Sequence, residues 1–185
     1  MRVNNQTKRL KTKFLIKGGL LARCILQSTD HNVKTFIALS SPNGGQFGAT
    51  KNIQEWFPHI SDRRALHKFL YSAAGQKISF GNYWKDPFQL DEYSKKSDYL
   101  AIYNGESDRV KPEENWRVNF GKLEKLVTIG GDSDEIITPW QSAHFANYAK
   151  NDDETGMFLS TFLPLRCKKK EDLRNSLVLL GVTAF

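Results

Sequence analysis

Two aspartates close the segment Leu126-Val-Thr-Ile-Gly-Gly-Asp132-Ser-Asp134. Its apolar, β-branched half predicts a strand over residues 123–129, which leaves the carboxylates on the loop beyond its carboxyl end. A carboxylate so placed can orient an imidazole. The imidazole then takes the proton of a hydroxyl nucleophile and returns it to a leaving group. Either aspartate can instead cap the element that follows, accepting backbone N–H groups at its start. Acyl-transfer chemistry needs two more groups, a nucleophile on a tight turn and a histidine beyond the acid. Of His31, His59, His67 and His144, only His144 follows Asp134. It falls inside an amphipathic helical pattern over residues 139–148, where a solvent-facing or packed imidazole is expected rather than a general base. No catalytic histidine is therefore assigned.

One stretch has the form of a nucleophile turn. A short β-prone run at residues 13–16 leads into Gly18-Gly19, and Leu20, Leu21, Cys24 and Ile25 then recur on one helix face. Residues 33–39 form a second apolar strand, ended by Ser41-Pro42-Asn43-Gly44-Gly45. Strand, glycine turn, helix and strand make a βαβ unit, which implies a parallel sheet with a right-handed crossover. α/β-Hydrolases carry their serine on such a turn, written Gly-x-Ser-x-Gly. With the second glycine registered on Gly18, Phe14 takes the place of the first glycine and Ile16 that of the serine. A β-branched isoleucine tolerates positive φ poorly. Residues 1–27 hold no serine to replace it. Cys24 lies two turns into the helix, where packed core is the expected role.

The elements around these residues describe one domain. Residues 50–120 lose the strand–helix rhythm and read as a largely helical insertion, with helical stretches near 61–74 and 113–122. After Lys150 the pattern is irregular. Apolar runs at 157–165 and 177–185 flank the basic cluster 166–170, and no element is assigned to them. The net charge of +7 is concentrated at the front. Residues 1–23 hold Arg2, Lys8, Arg9, Lys11, Lys13, Lys17 and Arg23 and no acid, which leaves 20 basic and 20 acidic side chains for the rest. Such a head reads as a solvated basic tail. A phosphate-binding arm would interleave aromatic or polar base readers, which residues 1–13 lack, so no nucleic acid is expected as a partner. No apolar run reaches the ~18–20 residues of a membrane span. The basic start lacks the apolar core of a signal peptide. Asn5-Gln6-Thr7 fits a glycosylation sequon. Cys24 and Cys167 make neither a disulfide framework nor a zinc site.

Several further segments fall in unbroken order: Gly18-Gly-Leu-Leu-Ala-Arg-Cys-Ile-Leu26, Phe36-Ile-Ala-Leu-Ser-Ser-Pro42, Gly45-Gln-Phe-Gly48, Asn82-Tyr-Trp-Lys-Asp-Pro87, Asn104-Gly-Glu106, Asn115-Trp-Arg117, Ile129-Gly-Gly131 and Ile137-Thr-Pro-Trp-Gln-Ser142. On these segments the chain resembles the palmitoyl-protein thioesterases, and more closely their second, lysosomal branch. The resemblance implies a partial α/β-hydrolase fold, with a mostly parallel sheet and a helical insertion at about 50–120. It divides a single domain into a non-matching basic head (1–17), a family-like body (18–150) and an irregular, non-matching tail (151–185). It also implies hydrolysis of fatty-acyl thioesters, palmitoyl-CoA or S-acylated substrates, by a Ser-Asp-His triad with no cofactor and no metal. The second branch favours acyl-CoA-type thioesters.

Position by position, the resemblance makes Asp134 the triad acid. Lys17 stands where a glutamine follows the serine, so its backbone N–H would serve the oxyanion. Ile16 stands at the nucleophile position and is non-functional there. The expectation is a chain incomplete at both ends, inactive as given, from a protein of the lysosome or secretory pathway. One alternative is a catalytically dead acyl-binding protein. A further alternative is a binder of anionic surfaces or nucleic acid through the basic head.

Overall fold

The computed structural model describes residues 11–15, 17–48, 63–134, 136–151, 157–159 and 177–182. Strand β1 (Lys11–Leu15) runs into helix α1 (Lys17–Ser28), and β2 (Thr35–Leu39) follows. The insertion holds α2 (Arg63–Leu70), α3 (Leu90–Lys96), α4 (Leu100–Tyr103) and α5 (Glu114–Phe120), with single 3-10 turns at Gly75–Lys77 and Gly81–Tyr83. The chain then returns to the sheet as β3 (Lys125–Gly131). Strands β1, β2, β3 and a later strand β6 (Leu177–Val182) lie side by side in that order, all parallel. The βαβ reading and the parallel sheet are both present. Among the described residues, no helix is long and apolar enough to cross a membrane.

Three expectations are corrected. Residues 139–148 are not a helix. A 3-10 turn at Trp140–His144 ends on Phe145 in the left-handed region (φ 64°), and β4 (Ala146–Tyr148) then pairs antiparallel with β5 (Met157–Leu159). Pro139, Ser142 and Ala143 are buried at helix-like spacing within the turn, and burial then continues at period two through Phe145 and Asn147. The runs at 157–165 and 177–185, left without an element, contain β5 and β6. Leu177–Val182 pairs parallel with β3 as the fourth strand of the sheet.

The third correction concerns α1. Leu21 and Ile25 are 58% exposed, while Gly19, Leu20, Ala22, Arg23, Leu26 and Gln27 face inward. The buried stripe therefore lies to one side of the predicted apolar face. Arg23 in particular is 1% exposed and does not belong to a solvated head. Its Nη1 donates to Asn104 Oδ1 at 2.7 Å, and its guanidinium lies over the Phe145 ring. Gln27 Nε2 donates to the Tyr103 carbonyl. Polar anchors that reach α4 from α1 turn this helix face inward, which apolar periodicity does not register.

Two apolar clusters result. Ala22, Leu26, Phe36, Ala38, Leu126 and Phe145 glue α1 to the sheet. Leu70, Tyr71, Phe80, Trp84, Tyr93 and Leu100 form an aromatic core for the insertion, and Leu20 and Phe47 tie it to the α1 side.

Candidate active site

Parallel pairing brings three chain crossings to one edge of the sheet. Leu15 at the end of β1 pairs with Leu39, and Leu39 with Ile129 of β3. Gly131 pairs with Val182 at the end of β6. The carboxyl ends of β1, β3 and β6 thus share one edge, where open α/β sheets place their sites. Adjacent strands lie ~4.8 Å apart, so the β1 and β3 ends are separated by roughly 10 Å. That span suits a nucleophile and an acid with an imidazole between them.

Asp134 sits on the β3 loop, half-buried. Its Oδ1 accepts the backbone N–H groups of Ile136 and Ile137, each at 2.9 Å. The capping role open to the sequence is therefore filled by one carboxylate oxygen. Oδ2 takes no hydrogen bond among the described residues. Asp132 is exposed and accepts from Ser133 Oγ at 3.1 Å. Of the two aspartates, Asp134 is the one that caps the following turn through two backbone N–H groups.

The acid loop is fastened to its neighbour on the β2 side. Gln46 Oε1 accepts the Thr138 N–H at 3.1 Å, and the Phe47 N–H donates to the Thr138 carbonyl at 2.7 Å. Asn43 Nδ2 donates to the Ala143 carbonyl, and Asn104 Nδ2 to the Asn43 carbonyl. The sequence marks residues 41–45 as a loop and Gly45–Gly48 and Asn104–Glu106 as family-like segments, but it gives Asn43, Gln46 and Asn104 no bracing role.

Lys17 is the first residue of α1 and is exposed, so its N–H stands among the helix-start amides that lack an intrahelical acceptor. Ile16, the residue registered on the nucleophile, lies outside the described residues. His144 stands away from the acid loop. Its Nδ1 is 2.7 Å from Oγ1 of the fully buried Thr128 inside β3, and its ring packs edge-on to Trp140. Burial pushes this imidazole below its ordinary value. Cys24 is a free, half-buried thiol whose neighbours are the Tyr99 and Tyr103 hydroxyls. Beside the first turn of α1 runs a groove of about 350 Å³, walled by Leu20, Leu21, Tyr83 and Tyr99, with Asn82 and Lys17 also lining it. Ligand pockets span ~300–1,000 Å³, so this one has the capacity for a small apolar ligand.

A parallel sheet with a strand–turn–helix unit, an acid after the third strand and a helical insertion between them is the α/β-hydrolase arrangement. Comparison with known proteins narrows the class. Residues 6–170 match the family model described as palmitoyl protein thioesterase, and the chain belongs to that family. It is 45% identical over 138 residues to a lysosomal thioesterase PPT2 homolog of Drosophila melanogaster, covering 74% of this chain and 47% of that protein. The lysosomal thioesterase PPT2 of Bos taurus is 46% identical over 137 residues, covering 74% and 44%. That of Homo sapiens is 45% identical over 137, covering 74% and 45%. The chain spans about half the length of the curated relatives it matches. Thioester hydrolysis is the activity for which the family is named.

Proposed function

We propose that this chain carries the acid and acyl-chain elements of a lysosomal fatty-acyl thioester hydrolase, and that these 185 residues do not themselves turn over substrate. The carrying observation is the shared edge. The carboxyl ends of β1 and β3, which lead to Lys17 and to the Asp134 loop, lie on one edge of the sheet, and the apolar groove along α1 takes in Lys17. In the complete reaction a hydroxyl at the place of Ile16 gives its proton to an imidazole and attacks the thioester carbonyl. The C–S bond breaks, the imidazolium protonates the departing thiolate, and water then hydrolyses the acyl ester to the free acid. The Lys17 N–H donates to the oxyanion, and Asp134 Oδ2 accepts from the imidazole that serves as base. Substrates of this class are palmitoyl-CoA and S-acylated proteins, met in the lysosome or along the secretory pathway.

An isoleucine has no oxygen with which to attack, and the 185 residues hold no histidine after His144. Without a nucleophile and base, only oxyanion and binding effects remain, worth at most ~10³–10⁴-fold over water when complete. The test is palmitoyl-CoA hydrolysis followed with a thiol reagent. Purified chain is expected to match buffer, and Asp134→Asn is expected to change nothing. Enzymatic turnover that D134N abolishes would overturn the inactive reading. The acyl-binding reading is favoured separately by the groove, and it survives loss of turnover.

A further inference from the structure

We propose that the groove along α1 selects a free fatty acid, with the Lys17 ammonium holding the carboxylate and the acyl chain lying against Leu20, Leu21, Tyr83 and Tyr99. This rests on the groove being an acyl site, and it goes further by naming the charged end of the ligand and the residue that recognises it.

The chemistry of the lining points to such an occupant. Lys17 is the one acidic or basic side chain in that lining, and burial pushes the Tyr83 hydroxyl up to about 12 and the Tyr99 hydroxyl higher still. The hydroxyls of Ser79 and Tyr83 also line it, and the remaining polar groups are engaged. Tyr99 donates to the Leu20 carbonyl at 2.7 Å, and Asn82 Nδ2 donates to the carbonyls of Gln76 and Ile78. Lys17 itself forms no ion pair or hydrogen bond among the described residues. It also occupies an unfavourable place, because a cation at a helix start opposes the helix dipole and no acid in the first turn of α1 offsets it. A local conflict beside an apolar groove is the kind of departure from consistency that functional sites retain. An occupant with one anion and a long alkyl tail relieves the conflict and covers the apolar wall. A neutral ester or alcohol covers the wall only. Binding is reversible and forms no covalent bond.

The experiment measures displacement of a fluorescent fatty acid from the full chain by palmitate, methyl palmitate and hexadecanol. Palmitate is expected to bind at least tenfold more tightly than the two neutral lipids. Lys17→Gln should remove that preference and leave methyl palmitate unchanged, and Lys17→Glu should invert it. High salt should weaken palmitate alone. Leu21→Glu, at an exposed position in the wall, should weaken acid and ester alike. Far-ultraviolet circular dichroism of each variant confirms the fold. Equal binding of palmitate and methyl palmitate, or a preference that survives K17Q, would overturn the carboxylate assignment and leave the acyl groove standing. Failure of all three lipids to bind would remove the acyl groove itself.

Discussion

Gly19 on α1 lies directly against Ser41 at the end of β2. A Cβ built on Gly19 would stand 1.8 Å from Ser41 Oγ and 2.7 Å from its Cβ. Ser41 is fully buried. The nucleophile-type turn and the loop that braces the acid are therefore locked together at a single point of backbone approach.

That contact explains why a glycine persists inside a helix, where it costs ~1 kcal/mol relative to alanine. Gly19→Ala gains helix propensity but forces the buried serine aside, and overpacking of this kind costs ~1–3 kcal/mol. Net destabilisation is expected, read as a fall of several degrees in Tm. Adding Ser41→Gly removes the clash, so the double variant should be more stable than the sum of the two singles. Strictly additive losses would show that the close approach does not carry the effect.

Arg23 and Asn104 make a second coupled pair. The guanidinium is fully buried, its Nε and Nη2 have no hydrogen-bond partner among the described residues, and the Asn104 Oδ1 bond at 2.7 Å is what satisfies its remaining arm. Asn104→Ala strips that acceptor from a buried cation and also releases the Asn43 carbonyl. Hydrogen bonds to charged groups are worth ~1.5–3 kcal/mol, so a loss at the top of that range is expected in urea denaturation. In an Arg23→Met background the same change should cost at least ~1 kcal/mol less, because no charge is left to strand. Equal costs in the two backgrounds would mean the bond does not matter.

Much of the frame could be seen before any coordinates. The glycine pair at 18–19, the β-branched run before Ser41 and the strand leading to Asp134 are local signals, and each lies where expected. Arg23 could not be read this way. Its partner is 81 residues distant, and by position it belongs with the exposed charges of the basic head. The turn at Trp140–His144 failed for a related reason. Burial of Pro139, Ser142 and Ala143 gives helix-like spacing to a segment whose extended end pairs with β5. For β6, six apolar residues carry no period to interpret, and only the pairing with β3 makes them a strand. Asp134 can be read from the sequence as a carboxylate on the loop after a strand, but not as one with an oxygen committed to Ile136 and Ile137.

Two imidazoles give a pH dependence with a definite sign. His144 is pushed below its ordinary value of 6.5 by burial. His67 is pushed down by burial as well, which outweighs the attraction of Asp86, 4.0 Å from its Nδ1, and of Glu92. Lys96 and Lys68 add to the lowering. The folded chain therefore holds both rings neutral where the unfolded chain has begun to protonate them. Below about 6.5 the unfolded state binds more protons, and stability falls with pH until the native rings are protonated too. Asp30 and Glu92, whose carboxyls are held below 3.8 and 4.5 by Lys122 and Lys96, lose their contribution only at still lower pH. Urea midpoints measured between pH 7.5 and 5 should thus decline on acidification. His144→Phe and His67→Phe should each flatten the decline, and the double variant should flatten it further. The slope is the readout, since H144F also takes the partner from the buried Thr128 hydroxyl and lowers stability at every pH. A slope unchanged in the double variant would assign the acid sensitivity to other groups.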